Sequence, residues 1–111
     1  MRERTEVLDR TFHALADPSR RQILDRLGRG PASVSELAAP LPMTLAAVVQ
    51  HVQLLEAAGL VRTAKAGRVR TCTLRGDRLL AAERWLAGQR AAWEERFDRL
   101  GAVLAEGEEA P

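Results

Sequence analysis

The stretch SVSELAAPLPMTLAAVVQHVQLLEAA, residues 33–58, decides how this chain folds. It reads as two short helices on a tight linker. Ser33 and Glu36 form a capping box: the hydroxyl accepts from an orphan N–H of the first turn, and the carboxylate reaches back to the cap's own N–H. Val34, Leu37, Ala38 and Leu41 follow at the i, i+3, i+4, i+7 spacing of one helix face. Pro40 and Pro42 end that helix, because neither donates a backbone hydrogen bond. Thr44 caps a second helix whose inward stripe is Val48, Val52 and Leu55, and Gly59 closes it in a left-handed conformation. Two helices on a short turn, the second capped and longer, form a helix-turn-helix, a motif whose second helix enters the major groove of DNA.

Upstream, residues 4–16 predict a helix with Leu8, Phe12, Leu15 and Ala16 on one face. Pro18 interrupts it, since the residue before a proline avoids helical conformation. Asp17 caps the next helix, over residues 18–27, with Pro18 at its first position, where no N–H is missed. Ile23, Leu24 and Leu27 point inward, and Arg20 and Arg21 are expected to divide between an acidic neighbour and the DNA backbone. After Gly59 the period changes from helical to alternating. Residues 60–65 and 68–74 read as strands about an Ala66-Gly67 turn, a β-hairpin. Residues 77–106 then read as one long helix in which Leu79, Leu86, Trp93, Phe97, Leu100 and Leu104 recur at three, four and seven. The expected fold is mainly α: a winged helix-turn-helix of five helices, with one small β-hairpin between the fourth and fifth, forming a single domain over residues 1–105. Residues 106–111 are acidic and expected to be a disordered tail.

A chain of 111 residues buries only a modest core. The aromatic stripe of the last helix exceeds what such a core covers, so a homodimer is expected, with Leu8, Phe12, Leu86, Trp93, Phe97 and Leu100 at its interface. An apolar pocket between the first and last helices can take a small-molecule effector, and the same residues can equally make a dry interface. Cys72 is the single cysteine, so no intrachain disulfide forms; it reads as a small packed strand residue. No stretch is apolar for the length of a membrane span. The first ten residues, MRERTEVLDR, lack the apolar run of a secretory signal, which makes the cytoplasm the expected compartment. No Gly-rich phosphate loop, Cys–His pair or paired carboxylates stand out, so neither an enzyme, catalytic residues nor a cofactor is expected.

Charge placement says more than net charge, which is only +2. Arg62, Lys65, Arg68, Arg70 and Arg75 fall between Glu56 and Asp77 without one acid among them. Such a local positive field suits phosphates, whose condensed counterions are released on contact. Residues 37–55 contain no Lys, Arg, Asp or Glu. The second helix of the motif instead presents Thr44, Leu45, Ala46, Val49, Gln50 and Gln53. Without Arg it cannot make the common bidentate contact to guanine, but Gln pairs with adenine, and Ala or Val touches a thymine methyl. The hairpin would then supply affinity and the helix sequence choice. Ser33 and Ser35, at the start of the motif's first helix, either hold a phosphate through free N–H groups or simply cap.

FHALADPSRRQIL (residues 12–24), SVSELAAPLPMTLAAVVQHVQLLEAAGLV (residues 33–61) and GRVRTCTL (residues 67–74) resemble, in order and spacing, the ArsR family of bacterial winged-helix repressors. The end carrying Trp85, Trp93, Phe97 and Leu100 is similar to an autorepressor-like subgroup without metal sites. The resemblance implies a homodimer joined through its first and last helices that binds an inverted-repeat operator and represses transcription. It departs from the metal-sensing members: the region where those carry a Cys-x-Cys pair reads Ser33-Val-Ser-Glu-Leu, and the last helix offers Glu83, Glu94 and Glu95 but no His. No metal is therefore expected. Val49 stands where the family commonly has a small hydroxyl residue. The competing reading is a winged-helix module that binds protein rather than DNA, which exposed Leu45 and Val49 keep open.

Overall fold

The computed structural model describes residues 2–109, with side chains for residues 3–107. The elements run α1 (Arg2–Leu15), α2 (Pro18–Leu27), β1 (Ala32–Ser33), α3 (Val34–Ala38), α4 (Leu45–Ala57), β2 (Val61–Ala66), β3 (Val69–Leu74) and α5 (Asp77–Glu109). Each expected cap forms. Asp17 Oδ2 accepts from the Arg20 N–H at 3.0 Å. Ser33 Oγ accepts from the Glu36 N–H, and Glu36 Oε1 from the Ser33 N–H, both at 3.1 Å. Thr44 Oγ1 accepts from the Ala47 N–H at 3.1 Å. At the end of α4, Gly59 takes φ +79°. The Leu60 N–H returns to the Leu55 carbonyl and the Gly59 N–H to that of Glu56, each at 3.0 Å, which is a Schellman closure.

These caps aim the apolar faces at one core. Ile23, Leu24 and Leu27 of α2, Val34 and Leu37 of α3, and Val48, Val52 and Leu55 of α4 are all buried there. Leu60, Val61 and Cys72 close it from the hairpin side.

Three features differ from the sequence reading, two of them in the sheet. First, the hairpin is part of a three-stranded antiparallel sheet in the order β1-β3-β2. Ala32 pairs with Cys72 and Ser33 with Thr71. A two-residue strand has no period of its own, so only β3, distant in sequence, makes it one. Second, the hairpin turn is Gly67-Arg68, not Ala66-Gly67, because Ala66 pairs with Val69. Gly67, at φ +63°, occupies the first central position, where a type II′ turn wants glycine. The shift carries Arg68 to the tip.

Helix α5 also outruns expectation. It continues to Glu109, so most of the segment expected to be a disordered tail is helical; Ala110 and Pro111 lie outside the described residues. At 1.5 Å per residue α5 is roughly 50 Å long. Its first turns pack on α1: Ala82 is buried, and the rings of Phe12 and Trp85 meet edge to face at 5.7 Å. From residue 93 to residue 107 every side chain is exposed. These include Trp93, Phe97, Leu100, Val103 and Leu104, with Phe97 at 70%.

Candidate nucleic-acid interface

The start of α3, one face of α4 and the near end of β3 enclose an open cleft of about 480 Å³. It brings together Ser33, Ser35, Leu45, Val49, Gln53, Arg68 and Arg70 from the expected contact set, with Val34 and Val69. Thr44, Ala46 and Gln50 are exposed on the first turns of α4 but do not line the cleft. Arg62 and Lys65 are exposed on β2, also outside it. Val49 is half-buried and packs on the core, so it serves as an apolar floor. Val69, which sequence reasoning treated only as a strand residue, is exposed beside the turn.

Ser33 is committed to the capping box. Its N–H and hydroxyl hold the Glu36 carboxyl below the usual carboxylate range, the N–H contributing most. The start of α3 therefore already carries an anion, and Ser35 is the serine left exposed there.

Helix α4 is held along its length by side chains from three directions. The Arg20 guanidinium donates to the Ala14 and His13 carbonyls at 2.8 and 2.9 Å and meets His51 Nδ1 of α4 at 3.4 Å. His51 Nε2 lies 4.0 Å from Asp17 Oδ2. Arg21 donates to the Leu15 carbonyl at 2.7 Å. Among the described residues neither arginine makes an ion pair within 4.0 Å, so the expected pairing with an acid is not formed as a direct contact, although the Arg20 charge still acts on Asp17 and Arg21 remains exposed. Both satisfy the orphan carbonyls at the end of α1, a nearer and better-shaped target for a guanidinium. At the far end of α4, Arg78 of α5 donates to the Ala58 carbonyl at 3.2 Å and lies over Gly59. Between them Glu56 accepts from both the N–H and the hydroxyl of Thr63 on β2, at 3.1 and 2.7 Å. None of these long-range contacts leaves a mark in local sequence.

The cations of the hairpin are largely uncommitted. Among the described residues no side chain or backbone group hydrogen-bonds or ion-pairs with the side chains of Arg62, Lys65 or Arg68. Arg70 makes one long contact to Thr63 Oγ1 at 3.5 Å, and Arg75 is drawn to Asp77 at 3.9 Å. Cys72 is fully buried, and burial, aided by Glu56 and opposed by Arg70, pushes its thiol up. The thiolate that redox chemistry needs is thereby disfavoured. Among the described residues no three His, Cys, Asp or Glu side chains converge as a metal would require, and no helix is long and apolar enough to cross a membrane.

A helix-turn-helix completed by a hairpin and flanked by an open, cation-edged cleft defines a winged helix-turn-helix protein. Residues 15–64 match the model of a helix-turn-helix domain family. The crystal structure of an ArsR family transcriptional regulator is 51% identical, covering 81% of this chain and 93% of that one with a TM-score of 0.78. The HTH-type transcriptional regulator Rv2034 of Mycobacterium tuberculosis is 47% identical over 66 residues, which are 60% of this chain. The aligned part spans 62% of that curated relative, under two thirds of its length. The homodimeric winged helix-turn-helix DNA-binding domain of Mb0332 from Mycobacterium bovis is 26% identical with a TM-score of 0.62, covering 86% of this chain and 85% of that one. The chain belongs to the ArsR family of transcriptional regulators, a family of DNA-binding proteins rather than enzymes.

Proposed function

We propose that this protein is a homodimeric repressor, acting in the cytoplasm, that binds an inverted-repeat operator. Helix α4 enters the major groove and the β2–β3 wing lies on the phosphate backbone. The observation that carries the reading is the cleft. Residues distant in sequence, Ser35, Leu45, Gln53, Arg68 and Arg70, share one open concave surface edged by the guanidinium groups of Arg68 and Arg70. In this reading Thr44, Leu45, Ala46, Val49, Gln50 and Gln53 face bases, while Arg62, Lys65, Arg68 and Arg70 neutralise phosphates. Ser33 and Ser35 line the same cleft at the start of α3.

The homodimer is supported by the bare outer half of α5 and by the homodimeric state of the Mb0332 domain. Leu86, Trp93, Phe97 and Leu100 present an apolar face that an isolated subunit leaves in water, with Leu8 and Phe12 half-buried beside its base. A groove of about 620 Å³ between α1 and α5 is lined by Val7, Leu8, Ala81 and Trp85 together with the charged Glu3, Arg4 and Arg84. It is assigned to the subunit interface, and a small apolar effector entering there would act by competing with the partner.

Sedimentation at micromolar concentration tests the dimer. Fluorescence anisotropy with duplex DNA from upstream of the protein's own gene, at two salt concentrations, tests the interface. Tight, sequence-dependent and strongly salt-sensitive binding is expected. Absence of binding at either salt would transfer the exposed Leu45 and Val69 to a protein partner instead.

A further inference from the structure

Glu56 is the sole acid in residues 37–76, and it lies beside the surface assigned to a polyanion. On charge alone it opposes DNA binding, so its contribution must come through what it holds. Its Oε2 takes two hydrogen bonds from one residue, the N–H and the hydroxyl of Thr63. Thr63 belongs to β2, an outer strand of the sheet, where the N–H pointing away from β3 has no neighbouring strand to bond. The carboxylate therefore pins that open edge to the last turn of α4. The same hydroxyl, having given its proton to Glu56, turns a lone pair toward Arg70 Nη1 at 3.5 Å. Arg70 lines the cleft.

We propose that Glu56 is the positioning residue of the wing: through Thr63 it fixes the hairpin against α4 and aims Arg70 into the cleft. Helix and wing then approach DNA as one preorganised unit, with the ordering done before binding rather than during it. The inference rests on the DNA-binding reading for its consequence, while the clamp itself can be judged without DNA.

The test uses the full chain with Glu56→Ala, Thr63→Val, Thr63→Ser and Arg70→Ala, and the double variant Thr63→Val/Arg70→Ala. Thr63→Val changes no charge and keeps the β-branched shape. It is expected to weaken binding to every duplex roughly fivefold and to lower the slope of log affinity against log salt by about one, as losing one phosphate contact does. Thr63→Ser restores both. Glu56→Ala weakens binding although it removes an anion. The double variant loses less than the sum of the two single losses, since part of what Thr63 does passes through Arg70. Amide hydrogen exchange in the free protein is expected to rise on the order of tenfold at Thr63 in Glu56→Ala.

Tighter binding by Glu56→Ala, additive losses in the double variant, or unchanged exchange at Thr63 each overturn the proposal. If the wild-type protein shows no salt-sensitive binding, the DNA reading falls instead. The exchange measurement then still decides whether Glu56 holds the wing.

Discussion

Helix α4 and the β2–β3 wing lie against each other and are made on opposite principles. From Leu45 to Leu55 the helix carries no charged residue; Val48, Val52 and Leu55 are sunk in the core, and neighbours hold it at its cap, its middle and its end. The wing carries Arg62, Lys65, Arg68 and Arg70 and gives Val61 and Cys72 to the core, with half-buried Leu74 packed against it. A segment that selects among base edges must be stiff and weakly charged, because strong attraction to any phosphate would swamp small differences between bases. A segment that supplies affinity needs cations kept hydrated and unpaired until phosphate arrives. The contrast between the two elements separates specificity from grip.

The largest effect that would break this comparison lies at the joint. Gly59, at φ +79°, links helix to wing, and a Cβ there would come within 2.7 Å of Arg78 Nε. Gly59→Ala is expected to cost about 2 kcal/mol of unfolding free energy in a urea titration, from backbone strain and displacement of Arg78. A variant as stable as wild type would mean that helix and wing are not rigidly joined. Next comes Arg68→Ala/Arg70→Ala, expected to weaken every duplex by more than about tenfold and to lower the salt slope by about two. Gln53→Ala has a smaller effect of another kind: about 1 kcal/mol less discrimination between bases, with the salt slope unchanged. If Gln53→Ala flattened the slope and the arginine variant changed base preference, the assignment of roles would be reversed.

The smallest effect concerns the caps that orient α2 and α3. The Asp17 carboxyl is held below its ordinary range chiefly by the Arg20 N–H, and that of Glu36 by the Ser33 N–H and hydroxyl. In the unfolded chain both groups bind protons more readily, so their ionised forms stabilise the fold above the ordinary carboxylate range. That contribution is lost as pH falls through the depressed folded-state values. Thermal melts below about pH 4 should therefore show wild type losing stability more steeply than Asp17→Asn/Glu36→Gln.

The resemblance to ArsR proteins and the order of elements were legible because their signals are local. The box of Ser33 and Glu36, the Asp17-Pro18 start and the Gly59 stop each act within one helical turn. So does the apolar spacing that buries Ile23, Leu24 and Leu27. The cationic interval was legible too, as it is a run along one hairpin. The membership of the cleft was legible only in part: Gln53 and Arg70 were named from separate elements, and nothing in either said that they share a surface.

What the chain's order of residues determined by itself is therefore where helices begin, end and turn their apolar faces, since those depend on neighbours three or four positions away. Tertiary structure alone decided that Ala32–Ser33 is a strand, that Arg20 and Arg21 serve the end of α1, that Arg78 covers Gly59, and that Glu56 grips Thr63. Each of those depends on a hydrogen-bonding group left unsatisfied by local structure, and the partner that satisfies it is set by packing, not by sequence distance.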